Sequence, residues 1–265
     1  MTIKRTFAFL ASLMLVVATN LTNAAEGDAP AADAPAAPTP DWTFPGSVDL
    51  ASEYIFRGLT QTNKDPALQG GIEFDHASGF YAGAWGSNIT WLSDLTALGF
   101  GNVSSSIELD GYLGWRTKFT DAFGMDFGVY TYYYPGSYPS GFTSPNTTEV
   151  YIAASYSIVS LKYSYALTNL FGFADSKYSG YLDLSANWEF VPSWVFNGHV
   201  GRQNVEHFSA ASYTDWKLGV TKNFDGGLSL ALAWYDTNAD EAVYTNPYGT
   251  FQGRSTGVLT VTKTF

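Results

Sequence analysis

Eleven acids and four bases fall on the polar positions of segments in which apolar and polar residues alternate. The acids are Asp49, Glu53, Glu73, Asp75, Glu108, Asp110, Asp126, Glu149, Asp183, Glu189 and Asp215. The bases are Arg57, Arg116, Lys162 and Lys217. Alternation puts one parity on each face of a strand, so these charges share a face. If that face lines an enclosed space, the chemistry is electrostatic sorting of solutes, with a lean toward cations. The competing expectation is that the charges pair across strands and merely fill the interior. Tyr130, Tyr132, Tyr134 and Tyr151 fall on or beside the same face and would narrow such a space.

The stretch "SEYIFRGLTQTNKDPALQGGIEFDH", Ser52 to His76, concentrates the problem. Glu53 and Arg57 stand four apart, about 13 Å along a strand at roughly 3.3 Å per residue, too far to pair easily. Glu73 and Asp75 on the following strand are the expected partners of Arg57, and such a cross-strand pair stabilises by about 0.2–1 kcal/mol. Tyr54, Phe56, Ile72 and Phe74 hold the opposite parity and are expected to face lipid. "GLTQTNKDP" is expected to form a loop directed outward.

Catalytic chemistry finds little support. The three histidines are His76, at a tight turn that it is expected to cap, His199, on a polar strand face near Asn197, and His207, in a loop. No Gly-x-Ser-x-Gly and no His-x-x-x-His occurs, and no histidine stands at a telling spacing from a nucleophile. Asp236, Asp240 and Glu241 lack the spacing of an EF-hand loop. No cofactor, metal or catalytic residue is expected, and a hydrolase is the weakest reading.

The elements that must position these charges are strands. Period two, not 3.6, dominates from Val48 to the C-terminus. The apolar positions run Val48/Leu50/Tyr54/Phe56, Leu68/Ile72/Phe74, Ile107/Leu109/Leu113/Trp115 and Phe123/Met125/Phe127/Val129/Tyr133. They continue through Val150/Ile152, Leu161/Tyr163, Leu182/Leu184, Trp194/Phe196, Trp216/Leu218, Leu228/Leu230/Leu232 and Leu259/Val261. "GFYAGAWGSN" at 79–88 is ambiguous in phase. The pattern predicts twelve strands, with ten or fourteen as neighbouring counts. Connections alternate short and long: short near 76–79, 118–122, 158–160, 191–193 and 223–227, long near 58–66, 88–103, 135–147, 169–179, 204–213 and 237–254.

Short turns at one end and long loops at the other predict a transmembrane antiparallel up-and-down β-barrel, an all-β fold. In lipid every backbone group must be paired, so a sheet must close on itself. Trp115, Tyr133, Trp188, Trp194 and Trp234 suit interfacial girdles. An even strand number puts both termini on the short-turn, periplasmic side. The terminal Phe265 suits a signal read by the barrel assembly machinery. A soluble β-sandwich or lipocalin-like barrel alternates too, but its charged outer face wants far more than the 14 % charged residues present here.

Upstream, Lys4 and Arg5 precede the apolar run "TFAFLASLMLVVA" and the small residues of "TNAAEG". This order predicts a signal peptide over 1–24, cut after Ala24 or its neighbour Ala25. Residues 25–41, rich in Ala and Pro, are expected to be a disordered linker, and 42–265 the barrel. Loss of the leader with its two bases takes the formal net charge from −11 to −13. Such a chain has no basic face for nucleic acid. With no cysteine, disulfide scaffolds and thiolate metal sites are excluded.

The Ser52–His76 stretch and its continuation also resemble a known family. Tyr54, Phe56, Arg57 and Gly58 lead into Gln61 and Thr62. Pro66, Ala67, Gln69, Gly70 and Gly71 follow, then His76, then Ser78, Gly79, Phe80, Tyr81, Gly83, Trp85, Ser87 and Asn88. This pattern is similar to that of the TorF family of porin-like proteins, also called the Gcw_chp domain, with Thr60 where Ser is expected. "LKYSYALTNLFGF" and "SGYLDLSANWEF" resemble its later segments, and the likeness spans 46–265. The resemblance implies an outer-membrane barrel. Together these readings predict a porin-like channel for passive diffusion of small hydrophilic solutes, in contact with outer-membrane lipid. The alternative is a non-conducting structural or surface-interaction barrel. Neither the solute nor the oligomeric state is legible.

Overall fold

The computed structural model describes residues 41–99 and 101–265; the expected signal peptide and nearly all of the expected linker lie outside them. Twelve strands form the wall: β1 (Gly46–Ala51), β2 (Ala67–His76), β3 (Phe80–Asn88), β4 (Ile107–Lys118), β5 (Phe123–Tyr133), β6 (Thr147–Tyr156), β7 (Val159–Ala166), β8 (Gly180–Val191), β9 (Trp194–Asn204), β10 (Tyr213–Asn223), β11 (Leu228–Thr237) and β12 (Thr256–Thr264). Each pairs antiparallel with its sequence neighbours. β12 pairs with β1 in the register Thr260 to Ala51 through Thr264 to Ser47, which closes the barrel. Gly46 and Phe265 exchange backbone hydrogen bonds of 3.2 and 3.0 Å at the seam. A two-residue strand, Trp42–Thr43, adds to β2.

The turns after β2, β4, β6, β8 and β10 are short. The loops at the other end are long: L1 (52–66), L2 (89–106), L3 (134–146), L4 (167–179), L5 (205–212) and L6 (238–255). His76 caps its short turn, its Nδ1 2.6 Å from the Ser78 hydroxyl.

Alternation sorts the wall as two faces. Leu68, Phe80, Leu113, Leu184, Leu218 and Leu232 point outward, with Leu232 62 % exposed, and Ile72 and Phe74 join them as expected. The inward parity carries the charges, hydroxyls and tyrosines. In β3 the ambiguous phase resolves with Tyr81, Gly83, Trp85 and Ser87 inward and Phe80 outward. Inward glycines sit under inward rings on the neighbouring strand: a β-carbon at Gly83 would overlap Tyr112, one at Gly114 would overlap Tyr81, and one at Gly128 would overlap Tyr151. The small residue lets the large one lie flat against the wall, so the chain's many Gly and Tyr are complementary.

The first predicted strand is shorter than its alternation suggests. Pairing stops at Ala51, because the Ser52 hydroxyl accepts from Leu259 N at 3.0 Å and turns the chain off the wall. L1 then folds into the barrel as a small hairpin, Ile55–Phe56 against Leu59–Thr60. Its turn residues, Arg57 and Gly58, have φ of 47° and 77°, two consecutive positive values as a type I′ turn requires. Thr62 Oγ1 accepts from Tyr54 N, and Thr60 N donates to the Gln252 carbonyl of L6. Tyr54 and Phe56 therefore do not face lipid. Tyr54 is buried, with its ring 5.6 Å from that of Trp85, and Phe56 packs edge-on to Tyr132 and Phe171. Only the "NKDP" part of the expected outward loop is open to solvent; Gly58, Thr60, Gln61 and Thr62 are buried.

Candidate functional site

The L1 hairpin crosses the lumen, and its tip meets the opposite wall. A β-carbon on Gly58 would stand 2.5 Å from Asp215 Cβ of β10, so only glycine allows this approach. Beside it, the Arg57 guanidinium donates to both carboxylate oxygens of Glu149 on β6, at 3.0 and 2.7 Å, and to Gln203 Oε1 on β9 at 2.8 Å. The ring of Tyr181 on β8 lies 4.2 Å from the guanidinium carbon, and that of Phe56 4.9 Å. A fork-shaped, permanently charged donor suits such a buried site, since it meets a carboxylate bidentately and stacks on rings.

Arg57 divides the interior. On the long-loop side lies a vestibule of about 350 Å³ walled by Trp91, Leu92, Phe142, Phe171, Phe173 and Tyr244, with Gln61, Gln203, Asn246 and Gln252 as its amides. On the other side lies a chamber of about 200 Å³ whose lining includes Glu53, Asp110, Lys162, Asp183, His199, Asp215 and Lys217. Phe56 and Arg57 line both.

Most predicted lumen acids are inside, and most hold a partner. Arg57 takes Glu149, not Glu73 or Asp75, because it reaches inward from L1 rather than along the wall. Glu73 and Asp75 instead share Arg116 of β4, at 2.8 and 3.9 Å. Glu53 is held by Arg254 of L6 at 2.9 Å and by the Thr256 hydroxyl. Asp49 accepts from Ser47 and Thr262. Asp126 accepts from Tyr81 at 2.6 Å, Glu108 from Tyr54 at 3.2 Å, and Asp110 from Tyr130 at 2.7 Å. Glu189 leaves the lumen at a bulge near the short-turn end and accepts from Ser193 N.

His199 is the residue that sequence reasoning undervalued. Its Nδ1 lies 2.8 Å from Asp183 and its Nε2 2.7 Å from Asp215, so both ring nitrogens face carboxylates across adjacent strands. Tyr181 donates to the same Asp215, and Ser185 to Asp183. The signal was present in the alternation: Asp183, His199 and Asp215 share one parity on three consecutive strands. With both nitrogens engaged, this imidazole braces the wall and has no lone pair facing a nucleophile. Lys162 and Lys217 contact ring faces instead of carboxylates: Lys162 Nζ lies 4.0 Å from Tyr151 and Lys217 Nζ 5.6 Å from Tyr235.

Tyrosines fill the opposite side of the lumen. Tyr112 and Tyr130 stack at 5.3 Å, Tyr130 and Tyr132 meet at 4.6 Å, and the Tyr81 and Tyr151 hydroxyls are joined. The expected narrowing by Tyr130, Tyr132, Tyr134 and Tyr151 is thus a packed cluster, shared with L1 through Tyr54 and Phe56.

Comparison with known proteins extends this description. The KdgM porin superimposes with a TM-score of 0.52 at 10 % identity, over 83 % of this chain and 98 % of that one. The NanC porin gives 0.49 at 10 % identity, over 82 % and 97 %. The COG4313 outer membrane channel from Pseudomonas putida F1 gives 0.46 at 14 % identity, over 86 % and 97 %. At these identities the likeness to KdgM is one of fold, a closed antiparallel barrel. No curated protein matches the chain in sequence. A profile described as "Bacterial protein of unknown function (Gcw_chp)" matches residues 35–265, nearly all of the barrel and its approach, and the chain belongs to that family.

Proposed function

We propose that the chain is a bacterial outer-membrane barrel acting as a porin-like conduit for passive diffusion of small hydrophilic solutes. The observation that carries this reading is the stacking of two cavities inside a closed barrel, with Phe56 and Arg57 as the partition between them. The outward belt of Leu, Val, Ile and Phe supports a lipid setting, since so continuous an apolar surface is unsuited to water. Strands of six to twelve residues suit a tilted span of the hydrocarbon core.

In this reading the leader 1–24 is removed on export, the short-turn end and both termini face the periplasm, and Phe265 presents the assembly signal. The vestibule then opens outward. The cation lean drawn from the eleven-to-four charge count is not carried into the proposal. That count ignores partners, and Arg57, Arg116, Arg254 and His199 engage most of the acids. The Arg57–Glu149 clamp favours one second reading, a barrel closed at the neck that serves a structural or surface role.

Swelling of liposomes containing the refolded protein in isotonic neutral sugars separates the two. The conduit reading predicts swelling that slows as the sugar grows. No swelling even with the smallest sugar supports the closed barrel.

A further inference from the structure

We propose that the inner chamber is a site for small organic anions, and that the preferred solute carries an apolar ring body behind its carboxylate. The proposal rests on the conduit reading for why such a site should lie on a transport path.

Most charges in the chamber already hold a partner. Glu53 is tied to Arg254, Asp110 accepts from Tyr130 through one oxygen while the other has no hydrogen-bond partner, and Asp183 and Asp215 grip the two nitrogens of His199. Lys162 and Lys217 line the same chamber. Among the described residues neither ammonium has a hydrogen bond or a carboxylate within ion-pair distance; each rests on a tyrosine face, and Lys162 also lies in the longer-range field of Glu149, Asp126 and Asp183. A half-buried ammonium without an acceptor is poorly compensated. The two charged groups of this space with neither a hydrogen bond nor an ion pair are therefore both positive, although the chain as a whole is acidic.

At the neck Glu149 matches the Arg57 charge, so a cation descending from the vestibule meets its first unmatched positive charges at Lys162 and Lys217. An anion passes the neutralised neck and then meets two ammonium groups, a pair of favourable positions of the kind that lets a solute enter and leave. The vestibule supplies the second half of the specificity. Its wall of Trp91, Phe142, Phe171, Phe173 and Tyr244 offers ring faces, and its amides offer hydrogen bonds without charge. A planar apolar body with one carboxylate satisfies both compartments, with the ring held among aromatic side chains and the carboxylate directed past the neck toward Lys162 and Lys217.

The test reads binding without transport. 19F NMR line broadening of 4-fluorobenzoate, 4-fluorobenzylamine and 4-fluorobenzyl alcohol is measured on the refolded full chain in detergent micelles. The expected order is benzoate well ahead of alcohol and amine. Lys162→Met and Lys217→Met are each expected to weaken benzoate binding about tenfold, while Lys162→Arg and Lys217→Arg, which keep the charge and report on folding, retain it. Amine binding equal to or stronger than benzoate, benzoate binding indifferent to both Met variants, or no binding of any probe overturns the proposal. A barrel that binds benzoate but passes no solute would sink the conduit reading alone. One that passes sugars but shows no benzoate preference would sink only this inference.

Discussion

Arg57 and Glu149 form a bidentate ion pair across the barrel interior, 2.7 and 3.0 Å long, between residues 92 positions apart. Their side chains are only 7 % and 2 % exposed. The pair fixes a hairpin that leaves the wall at Ser52 and touches it again on the far side, so one contact decides how wide the lumen is at its neck.

Removing one partner leaves a buried charge alone. Arg57→Met or Glu149→Met is expected to destabilise the folded barrel by about 3–5 kcal/mol. The double replacement should cost less than the two singles added, with a coupling of about 0.5–3 kcal/mol. Urea unfolding of the four proteins in lipid vesicles measures this, and strict additivity would show that the pair does not hold the hairpin.

The Gly–Tyr fit across strands predicts a size effect. Gly83→Ala forces a methyl group against the Tyr112 ring and is expected to cost about 1–3 kcal/mol. Tyr112→Ala in the same chain should recover part of that loss. An unchanged unfolding midpoint in Gly83→Ala would mean that the ring does not lie over the glycine.

Leu232, in the middle of β11 and 62 % exposed, points into the outward belt. If that belt meets lipid, Leu232→Arg should destabilise the barrel by about 2–4 kcal/mol in a bilayer. The same change on a wall facing water would be nearly silent. Folding yield into vesicles, read by the heat-resistant gel mobility of a closed barrel, distinguishes the two.

Loops L4 and L5 share a pH-sensitive contact outside the wall. His207 Nδ1 lies 2.9 Å from the Asp175 carbonyl and near its carboxylate, and both raise the histidine above its ordinary value of about 6.5. A raised value means the contact contributes fully below the unfolded value and is lost as pH rises through the folded one. Protease cutting in L4 and L5 should therefore increase from mildly acidic to mildly alkaline pH, and His207→Gln should abolish that dependence.

The wall was legible in the sequence because each strand's period matches its faces: Leu182 and Leu184 outward, Asp183 and Ser185 inward, with no competing pattern. The hairpin was not. Tyr54 and Phe56 continue the alternation of Val48 and Leu50, and an aromatic ring is as well buried among lumen tyrosines as against lipid. The contrary signal was local: Ser52, able to cap a strand edge, and Arg57-Gly58, able to make a I′ turn. The charge face was legible too, but not its state. Parity places Glu149 and Lys162 inside, yet partners come from L1 and from distant strands, so counting acids against bases says little about which charges are open to a solute.

Single-channel recording in planar bilayers shows whether the barrel is a conduit with its neck at Arg57. The purified barrel is predicted to insert with discrete conductance steps, and Arg57→Ala with larger ones. Absence of steps in both proteins would mean that the barrel is not a conduit.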